Sequence, residues 1–80
     1  MKSDWAEKRN TLEKMFVFEN FNKALEFVNK IGVVAEKLGH HPDVCIKNYK
    51  EVCVSTTTHC NGNIVTEKDI MLANTIDSLV

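Results

Sequence analysis

A glycine, two histidines and a proline in succession, Gly39-His40-His41-Pro42, split this chain into two patterns that cannot belong to one element. Before them the apolar residues recur at helical steps; after them they run in short β-branched blocks. Gly39 can take the left-handed conformation that closes a helix, and Pro42 bars its resumption while pushing His41 toward extended geometry. Segment 36–43 is therefore a sharp exit from helix to strand, and it holds two of the three histidines and the only proline. Binding and catalytic groups concentrate on loops held between rigid elements. The candidate site is placed here.

The approach to this exit starts with residues 1–14, which are polar apart from Trp5 and Leu12 as large apolar anchors. Trp5 is expected against a core edge, with a short strand near it. Met15-Phe16-Val17-Phe18 is aromatic and β-branched, a strand with Phe16 and Phe18 on one face. Asn20 suits a helix N-cap. Phe21, Ala24, Leu25, Val28, Ile31, Gly32, Ala35 and Leu38 then recur at three- and four-residue steps, an amphipathic helix of about five turns ending near Gly39, with Phe27 and Val34 beside the main stripe.

Beyond Pro42, Val44-Cys45-Ile46 and the run from Val52 to Thr58 have strand composition, and the polar residues from Lys47 to Glu51 suit a hairpin connection. Parity puts Val52, Val54, Thr56 and Thr58 on one face and Cys53, Ser55, Thr57 and His59 on the other. So much threonine suits either a surface lined for a ligand or partner strand, or an exposed edge. His59-Cys60-Asn61-Gly62-Asn63 is a loop, and Thr66-Glu67-Lys68-Asp69 matches the capping-box pattern. Ile70, Ala73, Ile76, Leu79 and Val80 follow as the stripe of a second helix, flanked by Met71 and Leu72. The expected fold is α+β: one domain over 1–80, with two helices covering one face of a small antiparallel sheet.

Bulk properties narrow the partners. A chain of 80 residues buries only about six-tenths of the surface its unfolded state exposes, so self-association is an expected supplement to the core. With 10 basic and 11 acidic residues in no long block of either sign, no electrostatic footprint for nucleic acid or an anionic membrane is present. Met1 to Trp5 is charged rather than apolar and no run reaches membrane-spanning length, so neither leader nor anchor is expected. Cys45, Cys53 and Cys60 form no C-x-x-C pair and read as small, mostly buried hydrophobes in a reducing compartment, the cytoplasm by default, with nuclear entry open.

Imidazole is the side chain most easily poised to give and take a proton near neutral pH. All three histidines fall at element ends, and His59 lies eighteen positions after His41, about what a hairpin needs to return to the same end of a sheet. One cluster is therefore feasible. Glu36, four residues before His40, can orient an imidazole, and Asp69 either joins it or only caps its helix. Zinc would also accept histidines, but adjacent His40 and His41 diverge and the spacing matches no common ligand pattern, so no metal is expected. Cys60 beside His59 is a weak case for a nucleophile, because sequence neighbours seldom form a productive pair. The residues alone lead to a small histidine acid–base site.

The motif Glu36-Lys37-x-x-His40-His41-Pro42, followed after a hairpin by Thr58-His59, resembles the pterin-4a-carbinolamine dehydratase family. The similarity extends through Trp5, the run Phe16-x-Phe18-x-x-Phe21-x-x-Ala24-x-x-Phe27, Gly62, and Thr66-Glu67-Lys68-Asp69 with Leu72-Ala73. The resemblance implies a four-stranded antiparallel sheet with helices on one side, assembled as homodimers or homotetramers. It implies a cofactor-free dehydratase that removes water from 4a-hydroxytetrahydropterin to give quinonoid dihydropterin. It makes His40, His41 and His59 catalytic, with Glu36, Pro42, Thr57, Thr58, Cys60 and Asn61 around the pterin and Asp69 orienting or capping. Some vertebrate members also serve as dimerisation cofactors for a homeodomain transcription factor, so an interaction module is the alternative function. The chain departs from the family in having Val44 where a bulky aromatic is usual and Gly39 where a polar residue is common.

Overall fold

The computed structural model describes residues 5–58, 62 and 64–80. The elements run β1 (Ala6–Lys8), β2 (Thr11–Val17), α1 (Phe21–Leu38), β3 (Asp43–Lys47), β4 (Glu51–Thr56) and α2 (Glu67–Asp77). The strands form one antiparallel sheet in the order β1-β2-β4-β3. Arg9 and Asn10 both take positive φ, 47° and 68°, between Lys8 and its partner Thr11. A two-residue turn with both residues left-handed matches the twist of the strands it joins.

One face of the sheet carries Leu12 and Phe16 of β2 with Val52, Val54 and Thr56 of β4. Ala24, Phe27 and Ile31 of α1 and Leu72, Ala73 and Ile76 of α2 close over it. Phe27 is the hub, its ring centroid 4.8 Å from both Phe16 and Phe18. Trp5 covers the sheet edge at 6.0 Å from Phe16, and its indole N–H donates to Asp77 at the end of α2.

Several expectations shift. β2 begins at Thr11 rather than Met15: Glu13 and Lys14 hide it from a composition reading, but every residue from Leu12 to Val17 pairs with β4. Around α1 the buried line is Ala24, Phe27, Ile31 and Ala35, while Phe21, Leu25 and Leu38 are exposed, so Phe27 lies at the centre of the stripe rather than beside it. On α2 the buried line is Asp69, Leu72, Ala73 and Ile76, with Ile70 outside. Cys45 is exposed and Cys53 half-buried, not core hydrophobes, because their parity turns them from the helices; Cys60 lies outside the described residues. The threonine-rich strand is not an exposed edge, since β4 is central and Thr56 and Thr58 are buried.

Truncating the hub tests this packing. Phe27→Ala should lower unfolding free energy by about 3–5 kcal/mol in urea titrations, whereas Met71→Ala, on the exposed side of α2, should cost under about 1 kcal/mol. Equal losses would contradict this packing.

Candidate functional site

The end of α1 fixes the first histidine. Asn20 caps the start, its Oδ1 accepting the Lys23 amide at 2.9 Å. At the other end Gly39 has φ 66°, and the His40 amide reaches back to the Ala35 carbonyl at 3.2 Å. That six-to-one bond is the signature of a Schellman close. His40 is thus held by its backbone before its ring meets anything.

The ring meets Asp69. His40 Nε2 lies 2.6 Å from Asp69 Oδ1, and the His40 side chain is only 13% exposed. The same oxygen accepts the Thr56 hydroxyl at 2.6 Å, while Oδ2 accepts the Thr58 hydroxyl at 2.8 Å and the Thr66 amide at 2.9 Å. Thr58 spends its proton on Asp69, so the 2.7 Å contact between Thr58 and Thr66 is a bond from the Thr66 hydroxyl. Burial alone would push the Asp69 carboxyl up, but donors from Thr56, His40, Thr66 and Thr58 outweigh it and hold the pKa at about 2. Its place in the first turn of α2 adds the favourable end of the helix dipole.

An ionised carboxylate can only accept. His40 Nε2 therefore carries a proton and donates it, which leaves Nδ1 with no hydrogen-bond partner among the described residues. A carboxylate that fixes one imidazole nitrogen sets the tautomer and stabilises the imidazolium when the other nitrogen takes a proton. Asp69 is at once the N3 residue of a reciprocal capping box and the anchor of His40.

The second histidine is differently held. His41 Nε2 is 2.5 Å from Glu36 Oε2, and both side chains are exposed, so the pair constrains His41 loosely. Glu36 thus meets His41, not the His40 that lies one helical turn away. His41, Glu36 and Pro42 line a groove between α1 and β3 whose walls include Val28, Gly32, Val33 and Val44. A second concavity, on the sheet face away from the helices, has no histidine among its described residues.

His59, Cys60 and Asn61 lie outside the described residues. Thr58, immediately before them, pairs with Ile64 through backbone bonds of 2.9 and 3.0 Å, and its side chain is buried against Asp69. The Thr57 hydroxyl donates to the Asn10 carbonyl at 2.6 Å, tying the end of β4 to the β1–β2 turn. Thr56 belongs to the site's support without having been singled out from the sequence. Its signal was parity: a threonine on the same face as Val52 and Val54 must find a buried acceptor.

The comparisons with known proteins agree in direction. A family model described as pterin 4 alpha carbinolamine dehydratase matches residues 1–79. A Sulfurisphaera tokodaii protein provisionally named pterin-4-alpha-carbinolamine dehydratase is 46% identical over 76 residues, 95% of this chain and 80% of that protein. A Picosynechococcus protein with the same provisional name is 43% identical, also over 95% of this chain and 80% of that protein. Among solved structures, a transcriptional coactivator/pterin dehydratase from Brucella melitensis superposes with a TM-score of 0.82 at 33% identity, over 94% of this chain and 80% of that one. A pterin dehydratase-like protein described as a RuBisCO assembly factor in the alpha-carboxysome gives 0.74 at 21% identity, over 94% and 84% of the two chains. At that identity the likeness concerns the fold alone.

The Asp69 charge predicts an acid limb of stability. Its pKa is lowered from 3.8 to about 2 on folding, so its contribution is complete above pH 4 and is lost as pH falls toward 2. The amount is about 2 kcal/mol. Urea titrations across that window should show this loss in the parent, whereas Asp69→Asn should be less stable at neutral pH and flatter below pH 4. An unchanged acid limb in the variant would contradict the assignment.

Proposed function

The chain belongs to the pterin 4 alpha carbinolamine dehydratase family, and from that premise we propose that it removes water from 4a-hydroxytetrahydropterin by histidine acid–base catalysis. The reaction breaks the C4a–oxygen bond, removes the proton from N5 and forms the C4a–N5 double bond of quinonoid dihydropterin. A proton goes to the departing oxygen and one leaves N5, so the step needs an acid on one side and a base on the other, and moves no electrons to a cofactor.

The observation that carries this reading is the His40–Asp69 pair. A ring held through Nε2 by an ionised, desolvated carboxylate offers Nδ1 as a proton carrier whose charged form is already compensated. We assign His40 and His59 to proton transfer at the 4a-oxygen. His41, exposed at the mouth of the groove with Glu36 behind it, binds the pterin and assists at N5. The hydroxyls of Thr57 and Thr58 are already engaged, so segment 57–61 meets the polar edge of the ring through its backbone and through Cys60 and Asn61.

Self-association belongs to the same proposal. Phe21, Leu25, Val33 and Leu38 leave α1 with exposed apolar surface that a second copy would cover, as a dimer or tetramer. The same surface favours the second reading, an interaction module for another protein. Turnover separates the two, because a module has no need of a poised imidazole.

Each of His40→Ala, His41→Ala and His59→Ala should lower 4a-hydroxypterin dehydration by about 10²–10⁴-fold once the uncatalysed rate is subtracted. His41→Ala should also weaken pterin binding. Groups acting as a unit are not additive, so His40→Ala combined with His59→Ala should lose less than the product of the single losses. Folded variants with near-parental rates would remove the histidines from the mechanism.

A further inference from the structure

The sheet face turned away from the helices is built of rows that cross three strands. In the order β2, β4, β3 they read Glu13–Ser55–Asp43, Met15–Cys53–Cys45 and Val17–Glu51–Lys47. Residues directly opposite one another share a face, with Cβ atoms about 4.5–5.5 Å apart. The middle row carries sulfur at every position. Cys45 and Cys53 are free thiols, and Met15 is 52% exposed. All three line a single concavity on this face, which Lys8, Lys47 and Ser55 also border.

We propose that Met15, Cys53 and Cys45 form a binding site for a soft monovalent metal ion of the copper(I) class. Thiolate and thioether donors select such an ion over harder ones. Zinc closes a four-coordinate shell, and among the described residues no group of three or more histidines, cysteines or carboxylates can hold a metal. A low-coordinate ion needs only the three sulfurs. Facing cysteines present two thiols side by side, and the flexible methionine can bring its thioether over Cys53 from the neighbouring strand.

The charge balance is consistent. Binding releases the two thiol protons to solvent and leaves the metal in its original oxidation state. Two thiolates and one monovalent cation make a site of net charge −1, at a rim where Lys8 and Lys47 stand beside the carboxylates of Glu13 and Asp43. Burial, then Cys45 and the Glu51 carboxylate, push the Cys53 thiol up, and Lys47 pulls it down. His40 and Asp69 lie on the other side of the sheet, so this site is independent of dehydration.

The test is anaerobic titration of the reduced full chain with copper(I) held by a coloured chelator, in the presence of excess reduced glutathione. The parent should withdraw one equivalent. Cys45→Ser and Cys53→Ser should abolish uptake, Cys60→Ser should leave it intact, and Met15→Leu should weaken it by at least the roughly tenfold that losing an outer-shell partner costs a metal site. Parental circular dichroism of all three cysteine variants, with unchanged pterin turnover in Cys45→Ser and Cys53→Ser, would establish that they are folded. Copper retained by glutathione, uptake lost only in Cys60→Ser, indifference to Met15→Leu, or a Cys45–Cys53 disulfide formed in place of the complex would each overturn the proposal.

Discussion

Asp69 brings a negative charge to a place water does not reach, its side chain fully buried, and four donors from three parts of the chain meet it there. Thr56 and Thr58 come from the end of the central strand, Thr66 from the cap of α2, and His40 from the close of α1. A buried carboxylate left short of donors would protonate or unfold its surroundings; one with all four is held ionised. The sheet, both helices and the candidate catalytic ring are therefore tied through one group. Removing any donor weakens the fold and the site together, and this coupling makes the His40 orientation reproducible rather than one rotamer among several.

Much of this arrangement is local and can be read from the chain. Asn20, Gly39 and the pattern from Thr66 to Asp69 are end signals whose physics involves only a few neighbouring residues; α1 starts and stops and α2 starts where they stand, whereas α2 carries no such stop signal and ends at Asp77, short of Leu79 and Val80. Parity in β4 assigned Val52, Val54, Thr56 and Thr58 to one face, and all four are buried. The pairing of Asp69 with His40 is another matter. The two are separated by 29 positions, and a capping box already accounts for an aspartate at that place, so the local explanation conceals the distant one. The α1 stripe differs from its expected line for a related reason. Phe21, Leu25 and Leu38 satisfy helical spacing as well as Phe27 does, and only the position of the sheet decides which side is covered.

The cysteines show how composition and pattern can disagree. As a residue type cysteine is among the most buried, yet the parity that buries Val52 and Val54 turns Cys53 outward, and hairpin register brings Cys45 opposite it. The sheet therefore has two chemically distinct sides. One is packed by helices and ends in the hydrogen bonds of Asp69 to Thr56, Thr58 and His40; the other is open and carries a line of sulfur. β4 serves both, with even positions supporting Asp69 and an odd position holding a thiol.

The central claim is that an ionised Asp69 dictates the tautomer of His40. Long-range ¹H–¹⁵N correlation spectra of protein labelled at its histidine nitrogens, recorded at a pH where the ring is neutral, read this directly. The account predicts a protonated Nε2 and a bare Nδ1 for His40, with that preference lost in Asp69→Asn. A His40 ring protonated at Nδ1, or one exchanging freely between the two tautomers in the parent protein, would contradict it.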